Sequence, residues 1–179
     1  MDYNKLVPKP NPADINSGLH AMSMAEALKH FGAPRKTYSA NCQPITNRAL
    51  ASRMVTKDVG PFRVTCLDVV ANDLIAIFAD IKAENPELYK ALGSAGMLCC
   101  RLVRGSKTTL SNHSYGLPID LKINGVLDVR GDDKVQAGLL ALYPFFHKHK
   151  WYWGASYPTE DSMHFEPSLE RFHELIGKS

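Results

Sequence analysis

Between Ser111 and Asp120 the chain reads Ser-Asn-His-Ser-Tyr-Gly-Leu-Pro-Ile-Asp, and no regular helix can run through it. Pro118 has no amide proton to donate, and Gly116 loses more backbone freedom on folding than any other residue would. The segment has to turn. A turn there carries a loop histidine, His113, back over Asp120, which stands in the β-prone run Ile119 to Ile123. Downstream, Asp161-Ser162-Met163-His164-Phe165-Glu166 places a second histidine in a strand-like stretch. Pairing of the two strands would gather two imidazoles and a carboxylate.

Two neutral imidazole nitrogens and one carboxylate oxygen suit a borderline-soft ion such as zinc, and three protein ligands leave a fourth position for water. An open position marks a catalytic centre rather than a structural one. Each residue also has an ordinary reading: His113 as an exposed loop histidine, Asp120 as a strand-end charge, Asp161 as a turn residue or cap, His164 as a half-buried aromatic. Their order and spacing taken together favour the metal.

The pattern His-x6-Asp, a gap, then Asp-x-x-His resembles the VanY-type zinc peptidases, the D-alanyl-D-alanine carboxypeptidase and L-alanyl-D-glutamate endopeptidase family, whose wider group includes the hedgehog zinc fold. Ser111, His113, Gly116 and Asp120 match that family's Ser-x-His-x-x-Gly-x-Ala-x-Asp signature, with Pro118 in place of its alanine, and Met163 to Glu166 resembles its second ligand segment. The likeness covers about residues 60 to 176. It implies one Zn2+ per chain on His113, Asp120 and His164, acidifying its water to about pKa 7. It makes Asp161 the general base and Arg101 a group that polarises the scissile carbonyl or holds a substrate carboxylate. Ser111 would orient substrate or ligands, and Glu166 reads as a group behind the ligands or at the surface rather than as a fourth ligand. The partner implied is a peptidoglycan stem peptide. L-alanyl-D-glutamate endopeptidase action is the leading expectation, D-alanyl-D-alanine carboxypeptidase action the alternative, and a non-catalytic zinc-containing binding or assembly module the alternative of another class.

With 179 residues, 45% of them hydrophobic and 22% charged, the chain reads as a single zinc peptidase domain over 1–179. A net charge of +3 without a Lys/Arg block gives no nucleic-acid footprint. No apolar run is long enough to span a membrane. The prolines at 8, 10 and 12 stand where a signal peptide would need a continuous apolar core. Synthesis in the cytoplasm follows, so action on cell wall would need holin-type or other release. Cysteines 42, 66, 99 and 100 form no C-x-x-C pair and read as buried free thiols.

Residues 1 to 20 read as an extended arm, Ser23 to Glu26 as a capping box opening a helix that Gly32 and Pro34 stop, and 33 to 60 as loop-like. From Asp68 to Glu84, Val70, Leu74, Ile77, Phe78 and Ile81 recur on one helical face. Strands are expected at 62–66, 97–103, 119–123, 151–153 and 163–165, and helices at 134–147 and 168–176. Arg101 would interrupt the second strand. Trp151 and Trp153 face one side as core or cleft wall, and His147-Lys148-His149 reads as a solvated basic helix end. The expected class is α+β: a small antiparallel sheet carrying the zinc site, packed with helices, hedgehog/D-Ala-D-Ala-peptidase-like.

Overall fold

The computed structural model describes residues 1–177. Lys178 and Ser179, the end of the expected 1–179 unit, lie outside the described residues.

Strand β1 (Leu6–Pro8) is followed by helices α1 (Met24–Phe31) and α2 (Arg48–Ala51), strands β2 (Met54–Asp58) and β3 (Arg63–Leu67), and helices α3 (Asp68–Glu84) and α4 (Pro86–Lys90). Then come β4 (Leu92–Gly96), β5 (Ile119–Ile123), β6 (Val126–Leu127) and β7 (Lys134–Gln136), helix α5 (Ala137–Lys148), β8 (Trp151–Trp153), β9 (His164–Pro167) and α6 (Leu169–Ile176). The class is α+β. The main sheet runs β4-β5-β9-β8 with β6 beside β5, all antiparallel, while β1 pairs with β7 and β2 with β3.

Helix α3 buries the face that its periodicity defines: Val70, Leu74, Ile77, Phe78 and Ile81 are all shielded. Helix α5 lies across the sheet with Leu139, Leu142 and Phe146 inward, and Phe146 meets Phe78, Trp151 and Phe165. Its approach to β5 requires glycine at 138, where a Cβ would come within 2.9 Å of the Ile123 side chain. Trp151 and Trp153 are core, and the Trp151 indole donates to Asp73, which also takes a two-pronged contact from Arg171. That buried cluster ties α3, β8 and α6 together.

Ser23 caps α1, accepting from the Ala25 amide, but Glu26 does not close the box: its carboxylate pairs with His173 of α6. The loop-like 33–60 stretch holds α2 and β2, the latter in a hairpin with β3 across Gly60-Pro61. The helix expected from Lys134 begins only at Ala137, because Lys134–Gln136 is claimed by β1. Part of the extended arm is therefore a strand.

Two further expectations are corrected. Residues 97–103 do not form a strand; β4 takes the sheet edge instead, and only isolated bridges, Gln43 with Cys100 and Leu102 with Leu110, occur there. The reason lies in the amides, which bond to other loops: Cys99 N–H donates to His113 O and Leu102 N–H to Ser39 O. The cysteines are not all free, since Cys42 and Cys99 form a disulfide, while Cys66 and Cys100 are buried thiols. The Gln43 to Cys100 bridge brings the preceding residues side by side, with Cα atoms 4.9 Å apart.

Candidate metal centre and its cleft

His113 sits in a 3-10 turn, Asn112–Tyr115. Ser111 opens it by accepting from the His113 amide, and Gly116, at φ 62°, closes it by donating to His113 O. A side chain at 116 would meet the Leu67 backbone at 3.0 Å, so close packing and the left-handed conformation both demand glycine there. Asp120 of β5 and His164 of β9 are direct cross-strand partners, as are Ile119 and Phe165. Strand alternation sends the apolar pair into the core and the polar pair to the opposite face, beneath the His113 turn.

Three atoms converge. Asp120 Oδ1 lies 3.2 Å from both His113 Nε2 and His164 Nδ1, and those two nitrogens are 3.3 Å apart. His113 Nδ1 donates to Met97 O at 2.8 Å, which leaves Nε2 with a lone pair. His164 Nε2 donates to Glu166 Oε2 at 3.4 Å, which leaves Nδ1 with another. Three lone pairs aimed at one point repel unless a positive charge stands between them. A tetrahedral ion with ligands at 2.0–2.1 Å sets its donors about 3.3 Å apart, so the residues fit such an ion.

Without an ion, a proton supplies the charge. Burial disfavours a charged His164, yet hydrogen bonding to Asp120 and Glu166 holds its proton affinity up to about 10. Burial likewise raises Asp120, but the two imidazoles outweigh it and keep that carboxyl far below the usual range. A divalent cation serves all three lone pairs at once.

Glu166 is fully buried and is not one of the three converging groups. Besides facing His164 it accepts from the Tyr157 hydroxyl (2.7 Å), Asn112 Nδ2 (2.8 Å) and the Met22 amide (3.2 Å). Burial raises the Tyr157 phenol well above its ordinary range, and the adjacent Glu166 adds to the effect, which keeps Tyr157 a donor. Glu166 thus stands behind the three converging groups and fixes which His164 nitrogen faces them.

Asp161 lines the same cleft, a cavity of about 640 Å³ that also takes in Arg101, Arg104, Arg130 and Met22. Desolvation pushes the Asp161 carboxyl above its ordinary value; His164 pulls it back, Asp120 raises it, and Arg130 lowers it. Arg130 Nε stands 3.3 Å from Asp161 Oδ2. Sequence reasoning missed this arginine, which sits in the charged loop after β6 with no local signal. Arg101 is half-buried off any strand, and its guanidinium donates to Leu102 O. Among the described residues it has no carboxylate partner: Asp68 pairs with Arg53, and Asp128 accepts from Ser162 and Gln136. Ser111 is buried in the cleft wall, its hydroxyl engaged by the His113 amide. The His147-Lys148-His149 cluster lies elsewhere, with Lys148 and His149 on Asp80.

Among the described residues no helix is long and apolar enough to cross a membrane. No curated protein and no solved structure matches the chain. A family model described as D-alanyl-D-alanine carboxypeptidase matches residues 104–167, a span that contains His113, Asp120, Asp161 and His164; this supports a peptidase of that family, and the His-Asp-His group is one that could hold a metal ion.

Proposed function

We propose that the chain, acting as one catalytic unit over 1–179, is a zinc-dependent peptidase of peptidoglycan stem peptides. The observation that carries this reading is the trio of lone pairs 3.2–3.3 Å apart at one end of a cleft that Asp161 also lines. His113, Asp120 and His164 would hold the ion. Bound there, zinc supplies Lewis acidity, which polarises a carbonyl and makes water acidic enough to react at neutral pH.

The chain's own groups do the rest. Asp161 takes the proton of the attacking water on its carboxylate and passes it to the leaving amine. Burial favours this role by raising its proton affinity toward the working range. Arg101, a cleft cation with no carboxylate partner among the described residues, stabilises charge developing on the scissile carbonyl or anchors a substrate carboxylate. Ser111 holds the His113 turn by accepting from its amide, which leaves the hydroxyl proton in the cleft wall to orient substrate.

The aspartate base favours cleavage of the L-alanyl-D-glutamate bond, by likeness to the endopeptidase branch. Removal of terminal D-alanine is the second reading, favoured by the description of the matching family model. Mass spectrometry of defined muropeptides incubated with the zinc-loaded protein separates the two, with Asp161→Ala and a chelated sample as controls. Stem release after L-alanine supports the first reading and loss of terminal D-alanine the second. Intact muropeptides despite bound zinc would overturn both.

A further inference from the structure

Two buried carboxylates face no cation among the described residues and have no place in the chemistry above. Asp128 is 5% and Glu160 1% exposed. Asp128 accepts from the Ser162 hydroxyl at 2.6 Å, the Gln136 amide at 2.8 Å and the Val129 amide at 3.0 Å. Glu160 accepts from the Gly131 amide at 3.0 Å and the Ser162 amide at 2.9 Å, while its carbonyl accepts from Gly131 as well. Together they lace the 128–131 loop to the 160–162 turn. The residues at the centre of the two laced segments are Arg130 and Asp161.

The pair so framed contributes little to stability, because Arg130 remains 37% exposed at its side chain and Asp161 23%. A buried clamp of this kind is out of proportion to a weak ion pair. It is in proportion to holding a carboxylate in one direction, since small misplacements of a reacting group are costly to rate.

We propose that Arg130 is a positioning residue: across the Asp128 and Glu160 clamp, its guanidinium fixes the direction of the Asp161 carboxylate relative to the His-Asp-His centre. This rests on Asp161 being the base. It assigns no contact with substrate to Arg130, which acts through Asp161.

The test compares Arg130→Ala, Arg130→Gln and Arg130→Lys with wild type and Asp161→Ala on the same muropeptide, alongside zinc content, thermal midpoint and crystal structures. Removing the guanidinium should lower kcat about 10- to 100-fold with KM changed by less than a factor of about two. Zinc stoichiometry and midpoint should hold, lysine should recover part of the loss, and the Asp161 carboxylate should turn away from its wild-type direction. Arg130→Gln keeps the test alive should the alanine variant fold poorly. Wild-type kcat in Arg130→Ala and Arg130→Gln, beside an inactive Asp161→Ala, would overturn the inference and leave the base assignment standing. A loss carried wholly by KM would overturn it too, by making Arg130 a substrate contact. Full activity in Asp161→Ala would instead remove the base reading itself. Should no muropeptide be cleaved, an unmoved Asp161 in the variant crystals would overturn the inference and a turned one would support it.

Discussion

Replacing Glu166 with glutamine tests whether the buried carboxylate behind His164 sets the metal affinity. The carboxylate presents four accepting contacts, two on each oxygen: Tyr157 and Met22 on Oε1, Asn112 and His164 on Oε2. Truncation to alanine would strand all four donors at about 1–3 kcal/mol each. Against a total stability of about 5–15 kcal/mol, that variant is not expected to fold. Glutamine keeps the shape but has one accepting oxygen, so its amide must face either His164 and Asn112 or Tyr157 and Met22. In the first arrangement the His164 Nε2 proton loses its acceptor and the tautomer that points a lone pair at the centre is no longer enforced. Outer partners of metal ligands are worth about 10- to 100-fold in affinity, or about 1.4–2.8 kcal/mol. Competition against a chromophoric chelator gives the zinc constant, and circular dichroism melting of the metal-free variant gives the cost to the fold. Unaltered zinc affinity in a folded Glu166→Gln protein whose crystal structure places the amide nitrogen against His164 would refute the reasoning. Loss of one-to-one binding altogether would make Glu166 a ligand.

Asp161→Ala is expected to abolish hydrolysis while zinc content, read by elemental analysis, stays near one per chain; a variant that still turns over normally would remove Asp161 as base. In the metal-free protein, the raised His164 contributes stability in full below its unfolded value of about 6.5, and that contribution is lost as the pH rises through about 10. The thermal midpoint should therefore fall more between pH 7 and 10 with chelator than with zinc, and equal falls would show that no proton occupies the centre. Gly138→Ala should cost about 1–3 kcal/mol by overpacking against Ile123, measured by urea unfolding; a neutral substitution would mean that α5 can slide on β5. Cys42→Ser should cost about 2–4 kcal/mol by the same assay, and a smaller change would show that hydrogen bonds alone hold the Ser39 to Gln43 segment.

What the sequence disclosed follows from where its patterns were local. Helix α3 was legible because its apolar residues repeat at the period of the element, and β5 and β8 because alternation and β-prone side chains coincide. The metal-ligand candidates could be named because Gly116 and Pro118 force a turn between His113 and Asp120. The misreadings share a cause: the deciding partner is distant in sequence. Met97 to Cys100 is apolar like a strand, yet its Cys99 amide serves the His113 turn and its Cys100 carbonyl accepts from Gln43 of the Ser39 to Gln43 loop. Lys134 to Gln136 continues a helical pattern, yet β1 claims it. Arg130 looks like any residue of a solvated, charged loop until the fold brings Asp161 to it. Neither count nor spacing could distinguish Cys99, bonded to Cys42, from its free neighbour Cys100.

The pairing of β1 with β7 joins nearly the first residues of the chain to residues that stand just beyond the Arg130 loop, with Leu6 opposite Gln136 and Pro8 opposite Lys134. During synthesis β1 has no strand partner until Lys134–Gln136 has been made. Contacts between such distant segments form late, because the loop between them must first be closed at an entropic cost. The bracing of one side of the cleft is thus among the last things folding completes, after the helices and the central sheet have a core to rest on. Trimming or burdening the segment around Leu6 would register at the cleft loop, far along the chain from the change, and would uncover the edge of the core at Val135, which Val7 covers.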